Sequence, residues 1–272
     1  MEQTDYTSVS RYWNQAEPSV LGPYMMDGSG FPRGAGRFRF RSEQKIIERL
    51  ICHLDPKGTV LDLGSGIGHW AEYFAGKFAK VVAVEGSRPF FESLDQRAST
   101  HPNLTAVQAN VMEYEPDGPF ELILIGGLLV YLNEADLIQM LRRLKSLLRP
   151  GGVILCCEST VLKGTETRRG EYQATYRSVS IYETMFRQCG LAPAHREINT
   201  PYVLMQMGCE SIKSWKAIVP EELRVLSLVG NCVYWGLRTG NPWITRLPAG
   251  IGWNFPHLTN HFFLLNPEPA IT

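Results

Sequence analysis

No apolar run in this chain of 272 residues reaches the roughly 18 to 20 residues that a bilayer-spanning helix requires. The first 30 residues also lack the basic-then-apolar order of a secretory signal, so a soluble, cytoplasmic protein without a membrane partner is expected. Net charge is missing as well. Lysine plus arginine number 27, as do aspartate plus glutamate, which leaves no summed field to gather nucleic acid; a small or neutral substrate fits that balance. The six cysteines include no C-x-x-C pair and no nearby histidine pattern of the zinc type, so reduced core thiols and no metal are expected. Cys156 and Cys157 stand together inside the apolar run VILCC, where small core residues belong. There is no internal repeat, and nothing fixes the oligomeric state.

What the chain has is a concentration of glycine between two apolar runs. VLDLGSGIGHW (60–70) reads as a buried strand breaking into a glycine turn that opens a helix, and VVAVE (81–85) as a second strand ending on a carboxylate. Gly64, Gly66 and Gly68 leave no Cβ between the turn and a ligand pressed against it. Glu85 lies 21 residues beyond Gly64, about where a ribose-binding acid sits in dinucleotide-type folds. The dinucleotide fingerprint G-x-G-x-x-G would need a glycine where His69 stands, and Asp62 just before the turn would repel a diphosphate but can serve a cationic amino-acid tail. This segment resembles the glycine-rich motif of the class I S-adenosylmethionine-dependent methyltransferases. The resemblance implies S-adenosyl-L-methionine as cofactor, with Glu85 on the ribose hydroxyls and the turn Gly64, Ser65, Gly66 and Gly68 on the methionine part.

From residue 42 helix and strand patterns alternate, as in a parallel sheet covered by helices. SEQKIIERLICHL places Ile46, Ile47, Leu50, Ile51 and Leu54 on one helical face; Asn133 is expected to cap a helix running to Leu148, and Pro150-Gly151-Gly152 to turn into strand VILCCE. LLRPGGVIL matches the L-x-P-G-G element of the same family. The resemblance covers about residues 42–199 and implies an α/β, Rossmann-like seven-stranded sheet with helices on both faces and an antiparallel last strand, for which HFFLLNP (261–267) is the candidate. The expected organisation is a covering segment over 1–41, then a methyltransferase-type domain over 42–272 interrupted by a substrate-shaping insertion at 200–258 with one helix, PEELRVLSLVGNCVYWGL. Within 1–41, RFRFR (37–41) alternates as a strand does, with Phe38 and Phe40 on one side and three arginines on the other, either as a solvated face or as an anion clamp.

Ligands of open α/β sheets bind at the carboxyl ends of the strands, and the remaining candidates lie there. Asn110 and Val111 end the third strand, where the resembled family usually has an acid contacting the adenine amine, and Gly126 ends the fourth. RYWNQAEPSVLG is similar to the segment ahead of the fold in protein N-terminal α-amine methyltransferases; that resemblance implies Trp13 over the cofactor and His69 in the place of an arginine that holds the methionine carboxylate. Where that family holds its amine with histidine and aspartates, this chain has Tyr131 and Tyr172 or its neighbours. Methyl transfer needs mainly in-line placement of the nucleophile, about 3 to 3.5 Å from the methyl carbon, and sometimes a base. Tyr131, Glu158, Tyr172 and Tyr176 are the candidates, the tyrosines also as faces for a cation, ahead of a helix that Ser180 and Glu183 are expected to cap. Trp13, Tyr24, Trp215, Tyr234, Trp235, Trp243 and Trp253 suit an apolar or cationic ligand, or equally an ordinary core.

Three functions compete. The leading one is methyl transfer to nitrogen or oxygen of a small molecule. A second makes S-adenosylmethionine the substrate, its amine closing on its own γ carbon to give azetidine-2-carboxylate and methylthioadenosine. The third is a non-catalytic partner subunit that retains the cofactor fold.

Overall fold

β-branched and leucine-rich runs too short for helices become the strands of one sheet. The computed structural model describes residues 3–18, 31–32, 34–224, 227–240, 243–251 and 255–268. Helices are α1 (Tyr6–Gln15), α2 (Ala35–Ile51), α3 (His69–Ala75), α4 (Arg88–Ala98), α5 (Glu134–Ser146), α6 (Val179–Gln188), α7 (Thr200–Ile218), α8 (Ser227–Gly240) and α9 (Trp243–Gly250). Strands are β1 (Thr59–Leu63), β2 (Lys80–Glu85), β3 (Leu104–Gln108), β4 (Phe120–Gly126), β5 (Leu148–Val161), β6 (Thr165–Arg168), β7 (Ala174–Ser178), β8 (Leu191–Ile198) and β9 (Thr259–Pro267). Two compact units result, one of Met1–Pro18, Ile51–Glu197 and His261–Thr272, the other of Ser19–Leu50 and Ile198–Asn260.

In the first unit the strand order is β3-β2-β1-β4-β5-β7-β6, with β9 also paired to β5 and β8 to β9. β1 runs parallel to β2 and β4, β2 to β3, and β4 to β5. This is the expected Rossmann-like α/β fold, and β9 contains HFFLLNP. Among the described residues the sheet has nine strands against the expected seven, because β6 and β7 form an antiparallel hairpin, joined to β5 through Thr160 and Val161. Neither hairpin strand has a long apolar run, and β6 is exposed throughout, so periodicity gives no signal there. Leu61, Leu63, Ile123, Ile125 and Ile154 pack with Leu137, Leu141, Leu144, Phe186 and Phe263 into the core. Each fully buried side chain of this kind contributes about 1.5–3 kcal/mol.

Three local expectations are corrected. α5 ends at Ser146, not Leu148, because Leu147 is its C-cap and Leu148 already pairs with Phe120. Arg149–Gly152 then form a bulge inside β5, since the register jumps from Phe120↔Leu148 to Leu122↔Val153. A Cβ on Gly152 would stand 2.6 Å from the Phe120 carbonyl oxygen, so the bulge needs glycine there. Nor do Ser180 and Glu183 cap α6. Ser178 is the N-cap, and Glu183 is drawn off to Arg196 at 3.0 Å.

The second unit is helical. RFRFR lies inside α2 rather than a strand: five alternating residues cannot separate a period of 2 from one of 3.6, and the pairing of Arg39 with Glu43 at 2.8 Å one turn later fits the helix. Phe38 consequently packs with Ala35, Met205 and Tyr234, and does not share a face with Phe40. Among the described residues the insertion carries α8 over much of the expected helical stretch and, besides it, α7 and α9; α7 is capped by Asn199, whose side chain accepts the Tyr202 N–H at 3.1 Å and donates to Glu43 at 2.8 Å. Trp243 is 78% exposed and Trp235 53%. Tyr24 and Trp253 lie outside the described residues.

Candidate active site

Strand register gathers the glycine turn and its acid at one level. Leu63 of β1 pairs with Val84 of β2 and with Ile125 of β4, so Gly64, Glu85 and Gly126 lie side by side just past those pairs. The turn is folded back onto β2, with the N–H groups of Gly64 and Ser65 both donating to the Val84 carbonyl at 2.9 Å. Gly66 has φ +56° and open space within 4 Å of where a Cβ would stand, whereas a Cβ on Gly68 (φ +83°) would meet Leu94 of α4 at 2.6 Å. One glycine leaves room for a ligand; the other lets α4 come close.

Two carboxylates flank the turn. Glu85 accepts the Gly66 N–H and the Ser87 N–H, each at 2.8 Å, and burial holds its pKa above the usual range despite those donors. Asp62 is 2% exposed, and burial pushes its pKa up to about 7. Its Oδ2 has no hydrogen-bond partner among the described residues. A buried, unpartnered carboxylate oxygen costs free energy that a donor or cation on a bound ligand can offset. His69 opens α3 and stands 3.5 Å from an Arg97 nitrogen, while Arg97 pairs with Glu72. Burial, helped by the Arg97 charge, lowers the His69 pKa to about 4, so the ring is neutral. The positive charge beside His69 is that of Arg97, a residue that sequence spacing does not single out and that is itself paired with Glu72.

α1 closes one side of this level. Its Trp13 carbonyl accepts the Ser87 Oγ–H at 2.8 Å and Asn14 accepts the Arg88 N–H at 3.1 Å. Just ahead of the helix, Thr4 exchanges two bonds with the Asn133 side chain, at 2.7 and 3.2 Å, and Tyr6 bonds Asp136. Asn133 is therefore the N-cap of α5 by position only, its amide being engaged by the N-terminal segment. The tie points lie on the segments that follow β2 and β4, the two strands that flank β1.

Aromatic rings line the span. Trp13 stands 5.5 Å from Phe90, 5.7 Å from Tyr131 and 6.5 Å from Tyr172, and Tyr12 stands 5.2 Å from Tyr172. The hydroxyls of Tyr131 and Tyr172 are 3.0 Å apart, and those of Tyr172 and Tyr176 3.2 Å. Burial raises the pKa of Tyr131 and of Tyr176, which keeps both phenols protonated.

Glu158 is not on that surface. It is fully buried, and its Oε1 accepts the N–H groups of Leu128 and Leu129 at 3.1 Å. From the other side Arg177 donates to the carbonyls of Leu129 (3.0 Å) and Leu132 (2.6 Å). Together they grip the 3₁₀ turn Leu129–Tyr131 and set Tyr131 in place. Burial pushes the Glu158 pKa up to about 8. Asn110 is exposed and folded on itself, accepting the Met112 N–H at 3.0 Å and donating to Glu113 at 3.1 Å, and the Val111 carbonyl accepts from Arg143 at 3.1 Å. Gly126 is exposed with open space beside it.

Residues 60–152 match a family model described as a methyltransferase domain. Phosphoethanolamine N-methyltransferase 1 of Triticum aestivum is 27% identical over 139 residues, 48% of this chain but only 27% of the wheat protein. Alpha N-terminal protein methyltransferase 1 of Arabidopsis thaliana is 26% identical over 197 residues, covering 68% of this chain and 70% of the plant protein. Among solved structures, a SAM-dependent methyltransferase of Leishmania major superposes with a TM-score of 0.62 at 16% identity, over 96% of this chain and 82% of that one. A Burkholderia thailandensis 1,6-didemethyltoxoflavin-N1-methyltransferase, solved with S-adenosylhomocysteine, gives 0.63 at 14% identity over 97% and 89%. The last two likenesses are of fold.

Proposed function

We propose, from a chain whose residues 60–152 match a methyltransferase domain, that the site binds S-adenosylmethionine and transfers its methyl group to a nitrogen of a small molecule. The observation that carries this reading is Asp62: a buried carboxylate with a free oxygen, set against an open glycine turn and one strand away from Glu85. S-adenosylmethionine, when bound, supplies a methyl group already activated on a sulfonium. Glu85 would take the ribose hydroxyls, Asp62 the cationic amine of the methionine part, and Arg97 its carboxylate. Trp13 and the tyrosines exclude water and present ring faces to positive charge. Tyr131 and Tyr176 stay protonated, and Glu158 is sealed behind the 3₁₀ turn, so the wall formed by the described residues offers hydrogen bonds but no strong base. An acceptor nitrogen with its own lone pair needs none, which favours nitrogen over a hydroxyl.

Calorimetry with S-adenosylmethionine tests the binding half, with saturation expected for the wild type and loss of affinity for Glu85→Ala. Incubation with a panel of small amines tests the reaction. S-adenosylhomocysteine should form only with an acceptor present; methylthioadenosine formed from S-adenosylmethionine alone would replace transfer by cyclisation.

A further inference from the structure

The second unit carries a cavity of about 560 Å³ that plays no part in the site above, formed between α2 and α8. Its lining is strongly one-sided. Arg37, Arg41 and Lys45 stand at i, i+4 and i+8 of α2, exposed on one helical face, and Arg238 joins them from α8. No carboxylate is among the described lining residues, although the chain as a whole has zero net charge. Arg39 on the same helix is neutralised by Glu43, so the stripe is not a general property of α2. Like charges one turn apart destabilise a helix, and this arrangement repeats that cost twice. Arg238 is held in position, its guanidinium 4.8 Å from the Phe38 ring and 4.9 Å from the Trp235 ring.

We infer that this cavity is a binding site for a small polyanion of the phosphate-ester class, its phosphates lying along Arg37, Arg41 and Lys45. Eight residues of helix span about 12 Å, which suits two or more linked anionic groups better than one. Arginine forks bind phosphate oxygens in pairs, lysine adds a point charge, and exposed Trp235 offers a ring face beside them for whatever the phosphates are attached to.

The test is calorimetric titration of the full chain with inorganic pyrophosphate at low ionic strength, where such contacts are least screened. Saturable binding is expected for the wild type, weakened at least about fivefold in Arg41→Gln/Lys45→Gln and largely kept in Arg41→Lys. The double variant should melt at the same temperature as the wild type or higher, since it removes repulsion; a residue with a packing role would lower it. Arg37→Gln, at an exposed position, gives the same readout should the double variant misfold. Binding should survive Glu85→Ala, which separates this outcome from that of the cofactor site. No saturation, unchanged affinity in the variants, or attachment to phosphatidylserine vesicles that pyrophosphate does not displace would each overturn the assignment.

Discussion

Asp62 sits at the end of β1 with a proton that burial makes hard to lose. Its pKa near 7 means that the carboxylate a cationic ligand needs is only partly formed at neutral pH. Affinity for S-adenosylmethionine is therefore expected to rise between pH 6 and 8 and then level, while Asp62→Asn flattens the curve and weakens binding at pH 8 by roughly tenfold. Calorimetry at four pH values checks both. Asp62, the glycine turn and Glu85 were legible in the sequence because strand, turn and strand follow one another within 26 residues and register does the rest. Arg177 was not. Its guanidinium meets carbonyls 45 and 48 residues upstream, and no local pattern shows that a strand arginine will be sealed there at 4% exposure.

At the scale of elements, the 3₁₀ turn at 129–131 shows how a loop is made rigid without being regular. Glu158 satisfies its N–H groups and Arg177 its carbonyls, so removing either leaves buried backbone groups unpaired. Arg177→Met should lower the unfolding free energy by about 2–4 kcal/mol, read from denaturant midpoints, with any loss of methyl transfer following from a displaced Tyr131. Long periodic elements, α5 above all, could be read from spacing. Short elements without an apolar run could not: the β6–β7 hairpin has no apolar signature, and RFRFR is too short for its alternation to decide between strand and helix.

For the whole molecule, buried ionisable groups of opposite kind shape the response to pH. Asp62 and Glu158 have pKa values raised to about 7 and about 8, so the folded state holds protons that the unfolded chain gives up near pH 4; their contribution is full below that and is lost as pH rises through 7 and 8. His69 and His261 have pKa values lowered to about 4, which works the other way: their penalty is absent above about pH 6.5 and grows as pH falls toward 4. The two pairs oppose each other between about pH 4.5 and 6.5. Above 6.5 only the carboxylates still titrate, so melting temperature should be nearly flat in the lower window and fall from 6.5 to 8, with Asp62→Asn and Glu158→Gln each reducing the fall. One last consequence concerns α1, none of whose residues is buried. It is fastened by a handful of directional bonds and ring edges, and its contact with the core is Trp13 standing over Phe90. With so little apolar surface under it, α1 is expected to act on ligands passing the glycine turn as a latch does, changing how fast they exchange more than how tightly the strands beneath hold them.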